Sequence, residues 1–85
     1  MEHDRDLKHR IDEAFFAIKD LSPDQREDLR RMWRHARELW TKMDIELVNC
    51  RKLNKTTPKY AELESNCRES IDIVERYIAW GHLSG

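Results

Sequence analysis

Four arginines, Arg26, Arg30, Arg34 and Arg37, recur three or four residues apart, so a helix would carry them on one side. Thr41 continues the line, and Trp33 and Trp40 flank it. A guanidinium grips a phosphate through two parallel hydrogen bonds and stacks on flat rings, so the row suits a ligand carrying phosphates and bases. The same row also suits a solvated, salt-bridged face, with Asp12, Glu13, Asp20, Glu69, Asp72 and Glu75 as the acids. A second basic cluster, Arg51, Lys52, Lys55 and Lys59, falls within nine residues that hold no acid. Thr56 and Thr57 add hydroxyls there, and the helix expected to start beside them adds unpaired backbone N–H groups, a ready anion site. The plain alternative is an ordinary turn with cations at a helix C-terminus. Tyr60, Trp33 and Trp40 could stack bases, although core packing is the commoner role at such positions.

Other chemistry lacks its residues. There is no G-x-x-x-x-G-K-[ST], G-x-S-x-G or H-E-x-x-H. His3, His9, His35 and His82 are scattered, and Cys50 and Cys67 form no C-x-x-C, so no metal or other cofactor is expected. The reading is of a protein that binds and does not catalyse. Charged residues make up 39% of the 85, yet the formal net charge is only −1. That balance argues against a DNA- or RNA-coating protein and against an acidic mimic of one. No apolar run approaches the length of a membrane span, and Met1–Asp6 has no secretory character, so a cytoplasmic location is expected.

The elements that must hold these residues are helices. Two glycines and two prolines leave little for turns or sheets, and helix formers dominate. The fold class is all-α: a short front helix followed by a long antiparallel helical hairpin, one domain over 1–85. The helices are predicted near 4–20, 23–53 and 58–80. In the first, Leu7, Ile11, Ala14, Phe15 and Ile18 share a face, with Phe16 and Ala17 off it. Ser22-Pro23-Asp24-Gln25 reads as N-cap, first helical residue and capping box. The second helix carries Leu29, Trp33, Ala36, Trp40, Met43, Leu47 and Cys50 in heptad rhythm. Asn54 to Pro58 stops it and restarts the chain, with Thr57 as N-cap. The third carries Tyr60, Leu63, Cys67, Val74 and Tyr77 and is expected to end near Trp80 with Gly81 as C-cap. A frayed tail, His82–Gly85, would follow.

Pairing the arms around the turn sets Leu53 against Tyr60, Cys50 against Leu63, Leu47 against Cys67, Met43 against Ile71 and Trp40 against Val74. The cysteines then lie about a helical turn apart, poorly placed for a disulfide. The front helix should bring Leu7 to Trp40 and leave the hairpin from Met43 to Ser70 without a third helix. Phe16, Ile45, Val48, Ile73 and Trp80 lie off the main stripes. Apolar surface of that extent on a small chain predicts a homo-oligomer joined through the outer halves of the hairpin, with Ile45, Val48 and Ile73 buried against another copy.

Arg34-His35-Ala36-Arg37-Glu38-Leu39-Trp40 in the long helix, the break at Thr57-Pro58, then Cys67-Arg68-Glu69-Ser70-Ile71 and Tyr77-Ile78-Ala79-Trp80 resemble the small helical phage anti-CBASS sponges. The resemblance covers about half of the chain. It implies a short front helix, a long helix, a Pro-containing turn and a last helix, assembled into a compact homo-oligomer. It also implies a cyclic oligonucleotide ligand held between subunits in a host cytoplasm. The family's alanine-rich last helix is not reproduced, since Asp72, Glu75 and Arg76 stand there. Candidate ligand contacts are Arg26, Arg30, Trp33, Arg34, Arg37, Thr56, Thr57, Lys59 and Tyr60. Two other classes stay open: a helical module that binds a host protein complex, and a nucleic-acid-binding accessory protein, which near-neutral charge demotes.

Overall fold

A computed structural model of the chain describes residues 5–84, and among them every regular element is helical. Helix α1 spans Arg5–Lys19, α2 spans Pro23–Leu53 and α3 spans Pro58–Ser84. The expected start at Asp4 lies outside the described residues.

The helix boundaries follow local chemistry, with two changes of detail. Ser22 is extended (φ −61°, ψ 155°), and its carbonyl accepts from the Arg26 amide at 2.9 Å. Its hydroxyl donates to Gln25 Oε1 at 3.1 Å and caps no backbone group, so the start stands where expected but without the capping box. At the other end Asn54 is left-handed (φ 53°). Its amide reaches Arg51 O at 3.2 Å while that of Lys55 reaches Cys50 O at 3.1 Å, the paired bonds of a Schellman stop.

Gly81 does not end α3, which runs on to Ser84. The glycine is buried, and a Cβ there would meet Leu21 Cδ2 at 3.3 Å and Gln25 Nε2 at 3.5 Å. Its missing side chain therefore serves the close passage of α3 over the α1–α2 turn. Tyr77, expected in the core, is half exposed, and Ile78 takes the inward position. Ala17, expected off the face of α1, packs against the core, while Phe15 lies partly outside, its ring 5.1 Å from that of Trp33.

The register of the hairpin differs from the expected one. Cys67 Sγ lies 3.4 Å from Ala36 O, not against Leu47, and Thr57 Oγ1 lies 3.1 Å from Glu46 Oε1. Extended turn residues advance about twice as far per residue as helical ones, so the turn runs back down the last coils of α2 before α3 begins. Tyr60 thus enters level with the Met43–Leu47 region instead of Leu53. Ala36 and Cys50 are separated by about four turns of helix. Cys67, on Ala36, and Cys50, on Thr57, are correspondingly far apart, and no disulfide joins them.

Helix α1 packs on the other two where expected. Arg5 and Lys8 share a furrow with Trp40 and Thr41, and the Trp33 indole donates to Ile11 O at 2.8 Å. The part of the hairpin beyond α1 is consequently short, from about Ile45 of α2 onwards, and does not extend to Ser70. Arg10 ties α1 to α3: Nε donates to both Glu75 oxygens, at 3.1 and 3.2 Å, with Asp72 3.9 Å away. The hydrogen bond to Glu75 raises the Arg10 pKa above its ordinary value, outweighing partial burial. A raised cation pKa contributes below the unfolded value and is lost only as pH climbs past the folded one, so from the arginine's side this tie is constant through neutral pH. A double-mutant cycle of Arg10→Ala and Glu75→Gln in urea unfolding should give a coupling of about 0.5–1 kcal/mol. Additive effects would mean that the pair holds nothing.

Candidate functional site

The arginine row is built as its spacing requires. Arg26, Arg30 and Arg34 line one furrow with Pro23, Glu27 and Arg31, all from α2, so among the described residues the furrow has no opposing wall. Among the described residues none of the three makes an ion pair. Four of the six acids named as candidate partners are engaged elsewhere: Glu75 with Arg10, Asp72 with Arg76 at 2.9 Å, Asp12 with Lys8 at 3.2 Å, and Glu13 beside His9. Arg37 stays on the same side of α2 but faces the next furrow. It donates to Thr41 Oγ1 at 3.1 Å and lines that furrow with Arg5, Lys8, Trp40, Thr41 and Asp44. Arg5 and Lys8 are the cations that sequence reasoning missed here, since only the packing of α1 brings them to Arg37.

The aromatic candidates are committed to structure. Tyr60 is 1% exposed and Trp40 is buried, so neither ring presents a face to a base. Trp33 is half-buried, tethered to Ile11 through its indole and covered on one side by Phe15. Tyr60 therefore leaves the candidate site, and Trp33 is only partly available.

The turn holds less of an anion site than its sequence suggests. Thr57 is buried and capped inward: its hydroxyl accepts from the Tyr60 amide at 3.2 Å and donates to Glu46 Oε1 at 3.1 Å. Its one proton being spent on Glu46, the Cys50 thiol 3.5 Å away is left as donor to Thr57 Oγ1. Asn49 Nδ2 donates to the other Glu46 oxygen at 3.2 Å. Pro58 has no amide hydrogen, and the Ala61 amide returns to Thr57 O, so Lys59 supplies the one amide of the first turn not engaged in these bonds. Thr56 and Lys59 remain at the surface with Arg51, Lys52 and Lys55.

Glu46 was passed over in the sequence, although it stands between Met43 and Leu47 on the buried stripe. An acid at such a position signals a buried polar partner. Replacing Thr57 by valine removes an N-cap, worth about 0.5–2 kcal/mol, and a hydrogen bond to a carboxylate, worth about 1.5–3 kcal/mol. The expected loss in urea unfolding is about 2–4 kcal/mol, with Thr57→Ser retaining most of the parent stability. A loss below about 1 kcal/mol for the valine variant would refute the network.

Exposed apolar residues form two separate groups. Ile45 and Val48 stand exposed near the hairpin tip, and Leu53 ends the helix there. Ile73, Tyr77 and Trp80 line the α2–α3 side with Met32 and Leu29, which precede Ile45 by about 13 to 16 residues of α2 (roughly 20–24 Å). Ile73 therefore does not belong to the same patch as Ile45 and Val48. Phe16 is exposed on α1, where Lys19 Nζ lies 5.4 Å from its ring.

Among the described residues there is no group of three metal-ligating side chains, and no helix is long and apolar enough to cross a membrane. No protein-family model matches the chain, and neither curated proteins nor solved structures gave a match.

Proposed function

We propose that this chain is a non-catalytic binding protein that self-associates and sequesters a phosphate-bearing ligand of the cyclic oligonucleotide class between its copies, as a phage-type counter-defence protein would in a host cytoplasm. One observation carries the reading. Arg30, Arg34, Arg37, Thr41, Ile45 and Val48 follow one another on α2 in steps of three and four, all exposed, so one side of the helix passes from cationic to apolar. An apolar end can hold a second copy, and the cations beside it can then hold anions at the boundary. The missing opposite wall of the arginine furrow supports a ligand shared between subunits over one enclosed by a single chain. The anti-CBASS resemblance points the same way.

The test is a thermal-shift titration with cyclic di- and trinucleotides, with sedimentation run in parallel. A ligand at 100 times its Kd should stabilise the fold by about 2.7 kcal/mol, which on a domain of this size shifts Tm by roughly 10 °C or more. No shift with any of them overturns the reading. The exposed Ile45 and Val48 would then favour the second one, a helical module that docks on a host protein complex.

A further inference from the structure

The hairpin has a second unpartnered face. Arg10 fixes α1 against the Asp72–Glu75 side of α3, and the opposite side opens into a groove between α2 and α3. Towards one end it is a cavity of about 550 Å³ lined by Leu29, Met32, Tyr77 and Trp80, with Asp28 and Gln25 on its rim. Met32 joins it to a smaller hollow of about 330 Å³ at Ile73, rimmed by Arg31 and His35. Trp80 is 66% exposed and Tyr77 48%, their rings packed edge to face at 6.3 Å. These are the side chains that anchor protein interfaces.

We propose that this groove is the interface of a symmetric homodimer, in which a second copy lies antiparallel and each Trp80 enters the Ile73 end of the other's groove. The charges select this occupant. Asp28, without an ion pair among the described residues, marks the Trp80 end, and Arg31 marks the Ile73 end. Among the described residues Arg31 is held at home only by an exposed contact with Glu27 at 3.4 Å. A two-fold axis across the groove reverses its direction, so Asp28 of each copy meets Arg31 of the other, twice. A parallel mate would set like charge on like.

The positions of the pairs agree with a single axis. Halfway between Asp28 and Arg31 the chain is beside Leu29, and halfway between Ile73 and Trp80 it is beside Tyr77. Leu29 and Tyr77 line the same cavity, so both exchanges turn about one point. A foreign partner would need no such self-complementarity.

The inference rests on the self-association in the proposed function but not on its ligand. It adds a face distinct from the arginine stripe, so copies joined through both would form an assembly larger than a dimer. The experiment is sedimentation of the full chain over a concentration series without nucleotide. The parent should be dimeric or a higher even multimer at micromolar concentration, and Trp80→Asp should halve the assembly with its helical circular dichroism retained. Asp28→Arg should weaken association about tenfold or more, because it creates two like-charge contacts. Asp28→Arg combined with Arg31→Asp should restore it to within a few-fold of the parent. A monomeric parent, a Trp80→Asp assembly of unchanged mass, or a charge swap without recovery each overturns the groove dimer. Dispersal by Val48→Asp alone, with Trp80→Asp inert, also overturns it while leaving the nucleotide reading intact. Absence of nucleotide binding with the groove results as expected overturns only the ligand.

Discussion

Reversing Arg30 and Arg34 together to glutamate is expected to abolish cyclic nucleotide binding while leaving the helical signal unchanged. Neither side chain packs in the core, and neither makes an ion pair among the described residues, so the fold loses nothing by the exchange. Each charge-assisted contact to a phosphate is worth about 1.5–3 kcal/mol, and two lost together weaken binding about a hundredfold or more. Replacement by acids adds repulsion of the phosphates. The paired control is Lys55 with Lys59, also reversed. The turn keeps few backbone donors for an anion, since Thr57 takes the Tyr60 and Ala61 amides. Its reversal is therefore expected to cost far less than that of Arg30 and Arg34. Equal binding by both double variants and the parent would sink the sponge reading, and a loss confined to the lysine pair would move the site to the turn.

The site was legible in the sequence as far as one helix could carry it. Spacing on α2 alone sets Arg26, Arg30 and Arg34 on a common side, and the structure keeps them together. Arg37 turned out to belong with Arg5 and Lys8, because that neighbourhood depends on where α1 lies. Tyr60 and Thr57 would be available only if the turn were open. Their burial follows from the path of residues 54–57, which backbone dihedrals decide and apolar periodicity does not record. The same path displaced the register, so that Cys67 meets Ala36. Helix starts were legible because Ser22-Pro23 and Thr57-Pro58 act locally. The end of α3 was not, because a glycine chosen for close packing on Leu21 looks in the sequence like a glycine chosen for a cap.

Two isoleucines two residues apart on α3, and so on roughly opposite sides of the helix, separate core from interface. Ile71 is fully buried, whereas Ile73 is 38% exposed and lines the groove with Met32. Truncating Ile71 to alanine leaves a cavity among packed neighbours and should lower the unfolding free energy by about 2–5 kcal/mol. For a chain of this size that is a large share of total stability, and the drop in Tm should exceed roughly 10 °C. It should do so equally at low and high protein concentration, because the lost contacts lie within one copy. Ile73→Ala should behave otherwise. In dilute protein its midpoint should fall clearly less than that of Ile71→Ala, since Ile73 is already 38% exposed and loses less buried surface from the single chain. As concentration rises, the parent's midpoint should climb with dimer formation and the variant's should lag behind it, because association stabilises only what it binds. Urea or thermal unfolding of both variants over a hundredfold concentration range separates the two roles. A concentration-independent loss of several kcal/mol for Ile73→Ala would return that side chain to the core and close the groove.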